Sequence, residues 1–397
     1  MNEEPFFPIG LYYAEAEIAD ASGAGLARLR AMGFNTIFFS GGLESAVVLD
    51  RIASAGLRVW YRPPGELHGA FNTLKQVVVR FGRHPAVLLW EMDDEPILNK
   101  LPIETSAAGC ALVHRIDPFH PILCNQWFPG FERASEVSRW AELADVHGFG
   151  IYPVPLRRLR ARLDGCGDRR EASLAIAGEQ VALWRRLAPG KPVIPVLQAF
   201  AWNALEDGDH GYPTLSWSRF MAYHCIVNGA KGLHHYGVPS PARPYLSCGI
   251  PAMIHEDLDR SHEDFQRTRI ANARFWTTHA ALITELAAMS DVFTARNADW
   301  APRVNSAADP PDGRQVEVMV KALRDSFVLL VVNPSDARTE VQFTAPPLRD
   351  KWLNAWGRGE GRQADAAGRF SAGLGPYDVR IYSDQVDRLK DIAGGTR

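Results

Sequence analysis

The chain has 397 residues, of which 46% are hydrophobic and 22% are charged, a composition typical of an ordinary globular protein. Its 43 basic and 46 acidic residues give a formal net charge of -3, which argues against a nucleic-acid partner. The five cysteines are scattered and contain no CxxC pair, so they indicate neither a disulfide framework nor a zinc site. We therefore expect no bound metal and no cofactor.

The N-terminal sequence MNEEPFFPIG is acidic and lacks the basic and apolar regions of a secretory signal. No apolar run approaches the length of a membrane span. From the sequence as written we expect a cytoplasmic protein without membrane association. A chain from which a secretory signal had been removed would begin in the same way. The sequence does not indicate an oligomeric state.

Hydrophobic periodicity and turn residues predict eight strands that alternate with helices. The predicted strands are Phe6–Tyr12, Gly33–Phe39, Leu57–Tyr61, Ala86–Trp90, Pro121–Gln126, Asp145–Ile151, Pro192–Leu197 and Gly232–Tyr236. Such alternation implies parallel pairing with right-handed crossovers, which favours a (β/α)8 TIM barrel. A doubly wound open sheet is the alternative, and it is disfavoured because no glycine-rich phosphate turn follows an early strand.

The pattern changes after a long helix predicted between His262 and Met289. Five further strands follow without an intervening helix, and they predict a C-terminal antiparallel β-sandwich. These strands are Val316–Ala322, Phe327–Asn333, Glu340–Thr344, Lys351–Trp356 and Tyr377–Tyr382. We therefore predict a barrel domain at residues 1–289, a β-sandwich domain at 290–385 and a tail at 386–397.

The fourth predicted strand ends in a cluster of acidic residues. The segment HPAVLLWEMDDEP, residues 84–96, runs from an apolar strand into Glu91, Asp93, Asp94 and Glu95. Active sites of (β/α)8 enzymes lie at the C-terminal ends of the strands. Crowded like charges raise the pKa of at least one carboxyl, which suits a general acid that holds its proton near neutral pH.

This segment resembles the end of the fourth strand in clan A glycoside hydrolases. Those retaining enzymes have a Trp, then three residues, then Asn-Glu, and the Glu is their general acid/base. Trp90 and Glu95 keep this spacing, and Asp94 stands where the family has Asn. The resemblance implies a glycoside hydrolase that cleaves O-glycosidic bonds in a carbohydrate substrate, with Glu95 as its general acid. It identifies no specific family, sugar or linkage.

The sequence departs from the clan A pattern at the seventh strand. The family places its nucleophilic Glu there, but this strand ends in Gln198, and an amide does not replace a carboxylate nucleophile. A hydrolase would need another carboxylate, and the following loop offers Glu206, Asp207 and Asp209. We take Asp207 as the first candidate and Glu15 as the second. A loop carboxylate farther from the acid favours inversion over retention.

Polar and aromatic residues recur at the other predicted strand ends and suggest a pocket lining for carbohydrate, which offers hydroxyls to polar groups and C–H faces to rings. The predicted substrate-binding residues are Asp94, Gln198, Tyr152, His147, Trp127, Trp202, His235, Tyr236 and Glu15. Trp90 and Tyr61 are compatible with either sugar stacking or packing of the barrel.

Two other functions are compatible with the sequence. Gln198 in place of the nucleophile favours a carbohydrate-binding barrel that has lost hydrolysis. A metal-dependent barrel hydrolase acting on C–N or phosphate bonds is less favoured, because no HExxH-type spacing fixes the abundant His and carboxylate residues.

Overall fold

The computed structural model describes residues 5–12, 14–64, 71–127, 134–157, 159, 172–202, 211–237, 263–356 and 361–385, with the backbone alone at 127, 134–136, 263–266 and 268. The first eight strands form a closed parallel barrel in which each strand pairs with the next and β8 pairs with β1. They are β1 (Ile9–Leu11), β2 (Thr36–Ser40), β3 (Arg58–Arg62), β4 (Val87–Asp94), β5 (Ile122–Trp127), β6 (Val146–Ile151), β7 (Val193–Gln198) and β8 (Leu233–Tyr236). The predicted barrel is confirmed.

Of the α-helices in the described residues, eight lie between the barrel strands and two follow the last of them. They are α1 (Glu15–Ala19), α2 (Ala24–Met32), α3 (Ala46–Ser54), α4 (Phe71–Phe81), α5 (Ile103–Ile116), α6 (Ala134–Ala141), α7 (Ile176–Leu187), α8 (Leu215–Val227), α9 (Glu263–Ala288) and α10 (Ser290–Thr294). Among the described helices, none has the length and hydrophobicity that crossing a lipid bilayer requires.

Side chains of the strands alternate between the barrel interior and the helix layer, as the two-residue period of a strand dictates. On β3, Val59 and Tyr61 pack in the helix layer, whereas Trp60 and Arg62 point into the barrel. The interior is filled by an apolar cluster from β2 to β7 and from the residue that follows β1: Tyr12, Phe38, Trp60, Leu89, Leu123, Val146, Ile194 and Val196, with Tyr236 of β8 packed against it. Because side chains fill the barrel, a ligand cannot enter its interior. It would bind at the end where the strands reach their C-termini, which we call the mouth.

The C-terminal part forms two antiparallel sheets, as predicted. Their strands are β9 (Arg303–Ser306), β10 (Glu317–Ala322), β11 (Phe327–Val332), β12 (Thr339–Thr344), β13 (Trp352–Trp356), β14 (Arg362–Gln363), β15 (Arg369–Leu374) and β16 (Val379–Ser383). One sheet has the order β10-β11-β16-β13-β14 and the other β15-β12-β9. The sequence prediction missed β9, β14 and β15, and the predicted tail lies outside the described residues.

The β-sandwich is fixed to the barrel through the barrel core and α8. On β11, Leu330 packs with the barrel core, whereas Leu329 packs inside the sandwich. Arg219 of α8 donates to the carbonyl of Val379 at 3.0 Å. The fully buried His224 lies 3.3 Å from Glu317 of β10, measured from Nε2 to Oε2. These contacts hold one face of the larger sheet against the barrel.

Candidate active site

The acidic end of β4 divides its side chains between the barrel mouth and the helix layer. An irregularity in the pairing with β5 falls between Glu91 and Asp93, and such a bulge changes the direction of the following side chains. Glu91 and Asp94 both contact Arg62 inside the barrel. Met92 instead reaches α5, where it lies against Gly109. The bulge thus brings Asp94 to the same inward side of the strand as Glu91.

A hydrogen-bonded network around Arg62 forms the floor of this mouth. The guanidinium of Arg62 pairs with Glu91, and its Nη2 lies 3.0 Å from Oδ2 of Asp94. The same nitrogen donates to the hydroxyl of Tyr12 at 2.6 Å. The amide of Asn125, on β5, donates to Oδ1 of Asp94 at 2.9 Å. Residues of β3, β4 and β5, together with Tyr12 directly after β1, therefore hold the two carboxylates in place.

Burial sets the protonation of this floor. The side chain of Glu91 is 0% exposed, and loss of hydration raises its pKa to about 8, against the opposing attraction of Arg62 and with a smaller contribution from Asp94. Burial beside Glu91 and Asp94 raises the pKa of Tyr12 well above its ordinary value, so the phenol keeps its proton.

Glu95 follows β4 directly and is partly buried. Its φ of 49° lies in the left-handed region, which a residue other than glycine adopts at a cost of about 1 kcal/mol or more. The backbone is held there because the N–H of Glu95 donates to the carbonyl of Asn125 at 2.7 Å. Strained residues of this kind cluster at functional sites, which keeps Glu95 a candidate for chemistry.

Aromatic side chains from the ends of β6, β7 and β8 form the opposite part of the mouth. The ring of Tyr152 lies 5.3 Å from Tyr236 and 6.1 Å from Trp202, between centroids. Phe200 packs edge-on against all three rings. Tyr12 joins the two halves of the mouth, since its ring lies 5.6 Å from Tyr236 and its hydroxyl donates to Glu91 at 3.3 Å. Three predicted pocket residues are thus brought together.

The structure indicates that Gln198 holds the backbone rather than binding a substrate. Its side chain is 1% exposed, and its Oε1 accepts from the N–H of Val154 at 2.8 Å. Its Nε2 donates to the carbonyls of Val154 at 2.7 Å and Phe200 at 3.0 Å. Both amide hydrogens are therefore used on the backbone. Gln198 fixes the connections after β6 and β7, and its prediction as a substrate-binding residue is corrected.

We expect Gln198→Glu to destabilise the protein by about 1–3 kcal/mol without creating a nucleophile, because the new oxygen would face two carbonyl oxygens in place of an N–H donor. Urea denaturation of the variant measures this loss. Gln342→Glu, at an exposed position of β12, is the matched control and should stay within about 0.5 kcal/mol of the wild type. Unchanged stability of Gln198→Glu would contradict the structural role.

Two predicted histidines lie away from the mouth, and this corrects their assignment as substrate-binding residues. The ring of His147 stacks on Trp184 of α7 at 4.9 Å, and His235 lies 3.1 Å from His279 of α9, nitrogen to nitrogen. Burial lowers the pKa of His147 to about 4 and that of His235 to about 3. Both precede an inward-facing position of their strand by one residue, so they point into the helix layer.

The remaining candidate residues lie in the helix layer, at the surface or outside the described residues. Trp90 and Tyr61 are buried in the helix layer, where the indole of Trp90 donates to Asp117 at 2.8 Å, so packing rather than sugar stacking accounts for them. Glu15 is exposed in the first turn of α1. Asp207 and the side chain of Trp127 lie outside the described residues. Within the described ranges, no three His, Cys, Asp or Glu side chains are arranged to hold a metal ion.

Sequence reasoning missed three members of the mouth: Tyr12, Arg62 and Phe200. A signal for Arg62 was present, since it follows Trp60 by two residues on β3 and so shares the inward face. Tyr12 follows Gly10 by two residues, so the two share one face. The sequence pattern of this short strand does not show whether that face points into the barrel.

No protein-family model and no curated protein matches the sequence. Among solved structures, a glycoside hydrolase family 5 protein from Bacteroides vulgatus ATCC 8482 is 14% identical, with 96% of this chain and 89% of that chain covered and a TM-score of 0.60. A GH30 endoxylanase from Clostridium papyrosolvens C71 is 9% identical over 96% of this chain and 97% of that one, with a TM-score of 0.52.

A catalytic mutant of a GH42 β-galactosidase from G. stearothermophilus is also 9% identical, with 96% of this chain and 98% of that chain covered and a TM-score of 0.53. At such low identity these similarities concern the fold. They confirm the (β/α)8 barrel with a C-terminal β-sandwich that the resemblance to clan A glycoside hydrolases implied, without identifying a specific family.

Proposed function

We propose that this protein hydrolyses O-glycosidic bonds, with Glu95 as the general acid. The observation that carries the proposal is the composition of the barrel mouth. Carboxylates from the end of β4 and aromatic rings from β6 to β8 meet there and are joined by Tyr12. Carbohydrate ligands suit such a site, because rings contact their C–H faces and charged or amide groups bind their hydroxyls.

In this proposal Glu95 acts on a bond that lies across the mouth. It stands at the end of β4, where strand-end carboxylates of barrel enzymes contact substrates. Glycoside cleavage requires an acid that protonates the leaving oxygen as the glycosidic bond breaks. The strained backbone at Glu95, anchored on β5, supports a fixed position for this acid.

Asp94 and Arg62 serve binding and position in this proposal. Asp94 keeps a partly exposed carboxylate at the mouth although Arg62 and Asn125 hold it. A carboxylate held in this way accepts hydrogen bonds from sugar hydroxyls without reorienting. Glu91 lies beneath it and is fully buried, so it acts through Arg62 rather than on the sugar.

The second carboxylate is the unassigned part of the mechanism. The segment from Val193 to Trp202 contains no acidic residue, and the first ones after it are Glu206, Asp207 and Asp209. We propose Asp207 as the base that activates a water on the face of the sugar opposite Glu95. Carboxyl groups about 6.5–9.5 Å apart leave room for that water and give inversion.

We expect the first product to have the inverted anomeric configuration, and Asp207→Asn to lose at least about 100-fold in kcat. Proton NMR during the first minutes of hydrolysis identifies the anomer. Asp209→Asn, two residues away, is the control and should keep most of the activity. A retained anomer would exclude the inverting mechanism, and full activity of Asp207→Asn would remove that residue from it.

A carbohydrate-binding barrel without hydrolysis is the second candidate, and one observation favours it: position 198 is a buried structural amide instead of a nucleophile. A screen of nitrophenyl glycosides and neutral oligosaccharides separates the two functions. The proposal requires release of nitrophenol or of new reducing ends by the wild type. Binding by calorimetry without release of either product would establish the second candidate.

A further inference from the structure

Trp352, at the start of β13, exposes an indole on the β-sandwich. Its side chain is 51% exposed, and among the tryptophans whose side chains are described it is the one classed as exposed. Trp300 and Trp356 of the same sandwich are partly covered by packing against the hydrophobic cores. Packing of the sandwich therefore leaves about half of Trp352 open to solvent.

The exposed indole is held in a fixed orientation. Its Nε1 donates to Oδ1 of Asn354 at 3.0 Å, and Asn354 is anchored in turn by its Nδ2, which donates to the carbonyl of Ser383 at 3.3 Å. The ring also packs on Gly361, where a Cβ would lie 2.4 Å from Cζ2 of the indole. Ordering the ring before a ligand arrives lowers the entropy cost of binding.

Neutral polar groups flank the ring. Asn354 lies two residues along the same strand, and Gln363 of β14 stands directly opposite Trp352 in the register, so all three share one face of the sheet. The neighbouring charge of Lys351 is paired with Asp384. We call Trp352, Asn354 and Gln363 the Trp352 patch, and its chemistry is that of an aromatic ring with amide groups beside it.

The Trp352 patch lies away from the barrel mouth. Asn354 pairs with Ser383, which also pairs with Val328, the partner of Lys321. Lys321 donates to the carbonyl of Phe293, whose ring packs against Phe7 just before β1. This end of the sheet is therefore near the N-terminal ends of the barrel strands, opposite the mouth.

We propose that the Trp352 patch is a second carbohydrate site, which binds a neutral polysaccharide by stacking a pyranose ring on the indole and by hydrogen bonds from its hydroxyls to the two amides. An indole face attracts sugar C–H groups. The amides of Asn354 and Gln363 each use one N–H on a backbone carbonyl, and Asn354 also accepts from the indole, but each amide keeps a second N–H and a lone pair for hydroxyls. The proposal goes beyond hydrolysis at the mouth and does not depend on it.

Affinity electrophoresis of the full chain tests this proposal with barley β-glucan, guar galactomannan, arabinoxylan and soluble starch in the gel. The parent protein carries Glu95→Gln so that the polysaccharide is not consumed. We expect at least one polysaccharide to retard the parent, and Trp352→Ala to weaken that binding about tenfold. Phe119→Ala, which removes an exposed ring from the barrel, should bind like the parent.

The other outcomes overturn the proposal. They are absence of retardation by all four polysaccharides, retardation of Trp352→Ala equal to that of the parent, and an equal loss in Phe119→Ala. If circular dichroism shows that Trp352→Ala is unfolded, Trp352→Tyr and Gln363→Ala decide instead, each with an expected loss of about threefold or more. Trp202→Ala, at the mouth, should keep the retardation, which separates this site from the proposed active site.

Discussion

Glu95→Gln is expected to lower kcat/KM by about 10²- to 10⁴-fold on glycosides with poor leaving groups, because the amide cannot donate a proton to the departing oxygen. On nitrophenyl glycosides, whose leaving group departs without protonation, the loss should be much smaller. Sugar binding should persist, since glutamine keeps the size and most of the hydrogen bonding of the side chain. Steady-state kinetics on the two substrate types measure the difference.

Two variants serve as controls for this result. Asp94→Asn should be milder than Glu95→Gln, because the amide found in clan A enzymes at this position still binds a hydroxyl, although it loses the ion pair with Arg62. Glu340→Gln changes an exposed carboxyl on β12 of the sandwich and should leave the kinetics unchanged. A loss in Asp94→Asn equal to or greater than that in Glu95→Gln would reverse the two assignments.

Glu91→Gln is expected to remove a pH dependence of stability on the order of 5 kcal/mol between pH 4.5 and pH 8. Burial raises the pKa of Glu91 from 4.5 to about 8, so the folded protein holds a proton that the unfolded chain releases. The contribution of this proton to the free energy of unfolding is fully present below pH 4.5 and is lost as the pH rises through about 8. The variant carries no titrating group at position 91, so its free energy of unfolding should not show this loss.

Urea denaturation at several pH values from 4.5 to 8 tests this expectation. The stability of Glu91→Gln relative to the wild type should rise steadily across that range. Glu340→Gln is again the control, and its curve should run parallel to that of the wild type. Parallel curves for Glu91→Gln and the wild type would show that Arg62 keeps Glu91 ionised in the folded protein.

The fold was accessible from the sequence because its signals are local. Apolar runs such as Val87–Trp90 identify strands buried on both faces, and glycine stops such as Gly33, with its φ of 116°, mark the helix ends between them. The short strands β9 and β14 carry too few residues for a period to be visible. Strand β15 was missed although its burial alternates, because small residues dilute its apolar pattern.

The site was only partly accessible because its geometry depends on the face that each side chain takes. The C-terminal ends of the barrel strands were predicted to within one residue except for β4, which extends to Asp94 instead of Trp90. The face that each side chain takes was harder to predict: His147 points into the helix layer, whereas Gly148, the next residue, faces the barrel interior. The bulge on β4 shifts this alternation without a sequence signal that we recognise. We interpreted Gln198 from the place that it takes in the clan A pattern. Its structural role instead follows from a hydrogen bond with Val154, which is distant in the sequence.

The most direct test of the proposed active site is a crystal structure of Glu95→Gln with an uncleaved oligosaccharide substrate from the glycoside screen. We predict that the scissile glycosidic oxygen lies within about 2.6–3.2 Å of the side-chain amide at position 95. A sugar ring should pack on the rings of Tyr152, Trp202 or Tyr236, with a hydroxyl bound to Asp94. An oligosaccharide bound elsewhere, or bound at the mouth with position 95 out of reach of every glycosidic oxygen, would contradict the assignment of Glu95 as the acid.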